Sequence, residues 1–149
     1  YLDEVRSQAN VDEIGSEWLR AFVAPAPGFS CFTSRLTIVE VISAFTRRMR
    51  EGSLSQAQFV AARDAFRDDC LCEYRIVPPT TDVVDLACTM LERYPLRAYD
   101  ATQLATALIT QQILVSEADF PLVFVSADER LNRAASAQGL DVDNPSRHL

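Results

Sequence analysis

Short apolar runs alternate along this chain with longer segments in which apolar residues recur every three or four positions, and no other feature constrains the fold as much. Tyr1–Asp3, Phe29–Thr33, Tyr74–Val77, Leu122–Ser126 and Leu140–Val142 read as strands. The spacing predicts helices over Ser16–Val23, Ser34–Glu51, Ser53–Cys72, Thr81–Arg93, Asp100–Ile113 and Glu129–Gln138. Pro25, Pro27 and Gly28 stop the first helix, and Gly52 and Gly139 close two later ones. Leu122 to Ser126 is apolar almost without a break, as a strand covered on both faces is. Strands alternating with helices predict an α/β domain built on a parallel sheet. At 149 residues, with no repeat, linker or low-complexity stretch, residues 1–149 read as one domain.

What is missing narrows the chemistry. All 14 basic residues are Arg, so a phosphate-loop lysine, Schiff-base chemistry and a lysine general base are excluded. The one His is His148, near the C-terminus, which argues against Ser-His-Asp or Cys-His catalysis. Four Gly form no glycine-rich phosphate loop. Cys70 and Cys72 are too close for a zinc knuckle and have no second pair, so Cys31, Cys70, Cys72 and Cys88 read as small buried hydrophobes in a reducing compartment. Acids number 21, leaving a net charge of −7 and no bulk basic surface for nucleic acid. A nucleic-acid enzyme of this composition needs a bound metal and local Arg groups. No apolar run reaches the roughly 18 residues that span a bilayer, and no basic-then-apolar leader opens the chain, so a cytoplasmic protein is expected. The chain opens on Tyr1 rather than Met, so residues upstream are expected to be missing.

Sites in open parallel sheets form beyond the carboxyl ends of the strands, which singles out four acids. Asp3 directly follows the first strand, where a plain turn or cap Asp is the competing reading. Glu40 lies opposite the face formed by Ile38, Val41, Ile42, Phe45 and Met49, beside Ser43, Ala44 and Arg47. It is either a solvated helix position or the edge of a cleft that small neighbours leave open. Asp100 with Gln103 fits a capping box, yet falls on the side of its helix shared by Leu104, Ala107 and Leu108. A carboxylate there is costly unless paired or bound to a metal. Asp128 follows Val123-Phe124-Val125-Ser126, and Ser126 with Glu129 satisfies a capping pattern, leaving Asp128 to point beyond the strand end.

Val39-Glu40-Val41, Leu96-Arg97-Ala98-Tyr99-Asp100-Ala101 with Gln103-Leu104-Ala105, and Phe124-Val125-Ser126-Ala127-Asp128 resemble the successive motifs of PIN-domain ribonucleases. Within that family they are most similar to the VapC-type toxins of bacterial toxin–antitoxin pairs. Tyr1-Leu2-Asp3, Gly15-Ser16-Glu17-Trp18, Gly139-Leu140 and Asn144-Pro145 fit the same pattern, in order along nearly the whole chain. The resemblance implies a three-layer domain with a central parallel sheet of four to five strands flanked by helices. It implies endonucleolytic cleavage of RNA with Mg²⁺ or Mn²⁺, giving a 5′-phosphate and a 3′-hydroxyl. It also implies a homodimer and a cognate antitoxin partner. Carried over residue by residue, the catalytic and metal-binding acids are Asp3, Glu40, Asp100 and Asp128.

The segment Glu4-Val5-Arg6-Ser7-Gln8-Ala9-Asn10 departs from the family pattern, being polar where the family has a small hydroxyl residue and then an apolar run. The alternative reading is therefore a catalytically degenerate PIN-like domain that binds protein or RNA. Four clustered carboxylates repel one another until a cation relieves them, and hard oxygen donors suit Mg²⁺ or Mn²⁺ over zinc. Arg47, Arg48, Arg50 and Arg97 are candidates for holding RNA phosphates, with a solvated face or ion pairing as the competing reading. Phe59, Phe66 and Leu71 are core residues or a docking face. A phospho-acceptor receiver domain lacks its lysine here, and a phosphatase acting on small phosphomonoesters stays as a further alternative.

Overall fold

The computed structural model describes residues 30–118 and 122–148. The expected strand Tyr1–Asp3 and helix Ser16–Val23 lie outside them, as does Phe29. The described residues divide into two compact units, one reaching to Ile76 together with the residues from Ser146, the other drawn from Val77–Pro145.

The first unit begins with strand β1 (Cys31–Ser34) and continues into helix α1 (Arg35–Arg50). Ser34 serves both elements: it ends the strand in extended conformation, and its Oγ accepts the Leu36 N–H at 3.3 Å. Such a cap satisfies a donor that the first helical turn leaves open. At the other end Arg47, Arg48 and Arg50 face the negative pole of the helix dipole. Gly52 then takes φ +78, a left-handed conformation that glycine adopts without strain. Helix α2 (Gln56–Cys72) opens with a capping box, Ser55 receiving the Gln58 N–H and the Gln58 side chain receiving the Ser55 N–H. Strand β2 (Tyr74–Val77) pairs with β1. Val41, Phe45, Phe66 and Tyr74 form the buried core of this unit, with Ile38, Ile42 and Phe59 packed on it. Leu71, by contrast, is 83% exposed and belongs to no core.

The second unit contains α3 (Thr81–Arg93), α4 (Ala98–Ala118), β3 (Val123–Val125), α5 (Glu129–Ala137) and β4 (Asp141–Asp143), and a 3-10 turn at Pro145–Arg147 follows at its end. Strands β3 and β4 run parallel, with Val123 opposite Asp141 and Val125 opposite Asp143. The core is a helical sandwich in which Val83, Ala87 and Met90 of α3 meet Ala101, Leu104, Ala105 and Leu108 of α4. Ala101 and Ala105 are fully buried, and such small side chains let two helix backbones approach closely. Thr102, Thr106 and Thr110 each donate a hydroxyl to the carbonyl four residues back, so the hydroxyls of the buried Thr106 and Thr110 are satisfied. Leu131, Ala134 and Ala135 of α5 complete the core with Leu140. Gly139, at φ +85, closes α5, and the Leu140 N–H returns to the Ala135 carbonyl at 3.1 Å.

The α/β alternation holds, and α3 occupies the range its sequence spacing predicts. The strands are three or four residues long and form two two-stranded sheets among the described residues, where four to five strands in one sheet were expected. Helix α4 starts two residues before Asp100 and runs past Ile113 to Ala118. No Gly or Pro interrupts the chain between Pro95 and Pro121, so nothing local ends the helix at Ile113. Cys72 and Cys88 are exposed rather than buried, because each points off the outer side of its helix. Cys31 and Cys70 do pack against the first core, and burial raises both thiol pKa values, with the Asp69 charge adding at Cys70. No described helix is long and apolar enough to cross a membrane.

Candidate functional site

Asp128 is held by the turn that carries the end of β3 into α5. Ser126 organises this turn through three of its groups. Its N–H donates to the Asp143 carbonyl of β4 at 3.1 Å, its Oγ accepts the Asp128 N–H at 3.1 Å, and its carbonyl accepts Asn132 Nδ2 at 2.7 Å. Asp128 is itself the cap of α5, its Oδ1 accepting the N–H groups of Arg130 at 2.7 Å and Leu131 at 3.2 Å. The sequence-based expectation of a Ser126–Glu129 capping box with a liberated Asp128 is thus corrected. An Asp three residues beyond the strand, directly before the helix, meets the open N–H groups of the helix before Ser126 does. Glu129 turns instead to β4, where Asn144 Nδ2 donates to its Oε1 at 2.8 Å.

The electrostatics follow from this placement. The Leu131 N–H does most to hold the Asp128 carboxyl below its ordinary pKa. The Arg130 N–H and the charges of Arg130 and Arg97 act in the same direction, against a partial desolvation that pushes upward. The Arg130 guanidinium stands 3.9 Å from Oδ2 on an exposed surface, a weak pairing. Asp128 therefore stays ionised, with Oδ1 committed to the backbone and Oδ2 turned to solvent and Arg130.

Asp100 lies in the first turn of α4, a helix that packs against α5. Its Oδ2 accepts the Arg97 N–H at 3.4 Å, while Arg97 O takes the Ala101 N–H. Asp100 is thus the third helical residue reaching back to the cap, not the cap facing Gln103, whose amide bonds Tyr99 Oη instead. It is half-buried, on a helix whose Ala101 and Leu104 are fully buried. Arg97 bears on both acids: its backbone N–H donates to the Asp100 carboxylate, and its charge favours the ionised form of Asp128. This was legible only in part, since Arg97 was singled out as a phosphate ligand.

Glu40 belongs to the first unit, on the exposed face of α1 with Ser43 and Arg47, opposite the buried Val41 and Phe45. Arg47 and Arg50 are exposed and Arg48 is half-buried. Asp3 lies outside the described residues. Among the described residues no group of three or more His, Cys, Asp or Glu side chains is drawn together as a metal site. Nothing in the sequence singles out Asn132, which reads as any interior helix residue; its partner is the Ser126 carbonyl.

The two acids of the second unit present hard carboxylate oxygens, each with one oxygen not committed to its helix cap, a donor chemistry that fits Mg²⁺ or Mn²⁺ and not zinc. An α/β domain with carboxylates set at helix starts, one of them just beyond a parallel strand, is of the class that binds ligands at strand ends. The family model for the PIN domain matches residues 8–137, and the chain belongs to that family. Its function is accordingly of the nuclease type, in a family that typically uses divalent metal ions. No curated protein matches the chain.

Proposed function

We propose that this protein is a Mg²⁺- or Mn²⁺-dependent endoribonuclease, the VapC-like toxin of a toxin–antitoxin pair, acting in the cytoplasm as a homodimer on RNA and restrained by a cognate antitoxin. The observation that carries the reading is the pair of acids at the starts of α4 and α5, Asp100 and Asp128, with Asp128 kept ionised by backbone donors and arginines. Asp3, Glu40, Asp100 and Asp128 are the residues that would hold the metal. When bound, the ion polarises a phosphoryl oxygen and acidifies an attacking water. Asp128 contributes a fixed, deprotonated carboxylate whose orientation its cap bonds set. Arg47, Arg48 and Arg97 bind backbone phosphates and supply the positive charge that the chain as a whole lacks. Selectivity among RNAs then rests on surface shape, since the phosphodiester is common to all.

One observation favours the alternative of a degenerate binding module. Both acids make the hydrogen bonds of ordinary helix caps, which explains their presence without catalysis. Incubating a mixed RNA pool with Mg²⁺ or Mn²⁺ separates the two. Cutting by the wild type that is lost in Asp100→Asn supports the ribonuclease. A folded wild type that binds Mn²⁺ but leaves RNA intact supports the binding module.

A further inference from the structure

Asn132 is 6% exposed, in the first turn of α5, on the side that also buries Leu131 and Ala135. Its Nδ2 donates to the Ser126 carbonyl at 2.7 Å, while its Oδ1 is buried with no hydrogen-bond partner among the described residues. An orphaned buried acceptor costs at least as much stability as one ordinary hydrogen bond returns. The unpaired Oδ1 thus offsets much of what the amide gains by satisfying the Ser126 carbonyl, so net stability is a weak reason for an amide here. What the amide achieves is local. Ser126 is the last residue before the Asp128 turn, and its N–H and Oγ are already engaged by Asp143 O and by the Asp128 N–H. The bond from Asn132 closes the remaining freedom of the peptide between Ser126 and Ala127. With it, the strand end, the turn and the helix start form one closed hydrogen-bonded loop. The carboxylate of Asp128 leaves from the middle of that loop.

We propose that Asn132 is a positioning residue that sets the direction of the Asp128 carboxylate through Ser126. The inference rests on the reading of Asp128 as a site residue. Outer partners that orient a metal-binding carboxylate commonly govern affinity or rate by roughly tenfold to a hundredfold. Asn132→Ala and Asn132→Leu are the variants to make. The Leu variant removes the orphan oxygen and fills the space with apolar volume, so it keeps the fold if Ala does not.

The first readout is amide exchange, which needs no activity. Both variants should lose protection at Arg130 and Leu131, the two donors to Asp128 Oδ1, while the amides of Gln138 and Leu140 at the far end of α5 keep theirs. The second is Mn²⁺ affinity, followed by the resonance of the free ion, together with kcat and KM on RNA. Mn²⁺ affinity and kcat should fall together with KM little changed, and the loss should vanish in an Asp128→Asn background. Unchanged protection at Arg130 and Leu131 in both variants, or a loss of the same size without Asp128, overturns the proposal. A wild type that neither binds Mn²⁺ nor cuts RNA refutes the reading of the site instead. The exchange pattern then decides by itself whether Asn132 sets Asp128.

Discussion

Asp128 is asked to cap a helix and to offer a charge, and the two demands separate under substitution. Asn caps as well as Asp does, whereas Ala leaves the Arg130 and Leu131 N–H groups without their acceptor. Asp128→Ala should therefore lose about 1 kcal/mol in urea unfolding, and Asp128→Asn only a few tenths. If Asp128 binds metal, both should lose cleavage alike. Acid titration of the metal-free protein adds a test with a definite sign. The folded-state pKa of Asp128 lies below its unfolded value, so the stabilisation is complete above about pH 4 and fades as pH falls through the lower, folded value. The stability difference between the wild type and Asp128→Asn should then shrink below about pH 4 and stay flat from pH 5 to 8. A difference that grows toward acid would contradict the cap geometry.

At the scale of elements, local signals were read well where they act alone. Ser34 is recognisable as a helix start, Gly52 and Gly139 as helix ends, and α3 as a whole, because a cap or a positive φ depends on few neighbours, whereas α2 begins after the Ser55 cap rather than at Ser53. Gly139→Ala meets no atom within 4 Å, so its cost is conformational, about 1 kcal/mol for a side chain in the left-handed region, seen as a lower Tm. Helix α4 was read less well. Two acceptable caps compete at its start, and the choice between Arg97 and Asp100 depends on which residues α3 and α5 bury against it. Leu104 shows how strongly that packing acts. Fully buried between helices, its truncation to Ala should cost roughly 2–5 kcal/mol, measurable as a shifted urea midpoint with unchanged slope.

For the molecule as a whole, a net charge of −7 means that affinity for RNA cannot come from a general basic surface. If Arg47 holds a phosphate, Arg47→Ala should weaken RNA binding and reduce the slope of log affinity against log salt by about 0.7, with little change in stability at its exposed position. An unchanged slope assigns Arg47 to the dipole of α1 alone. What the sequence by itself determined was the α/β class and the family, since periodicity and motif order are properties of the chain read one segment at a time. Only the tertiary structure decided what Asp100 and Asp128 do locally. It made Asp128 the cap in place of Ser126 and set Asp100 in the first turn of α4, reaching back to the Arg97 N–H. It also revealed Asn132, whose partner Ser126 is six residues back in the turn before its helix. Those outcomes depend on which hydrogen-bonding groups burial leaves unpaired, and burial is settled by the packing of the domain rather than by any stretch of its sequence.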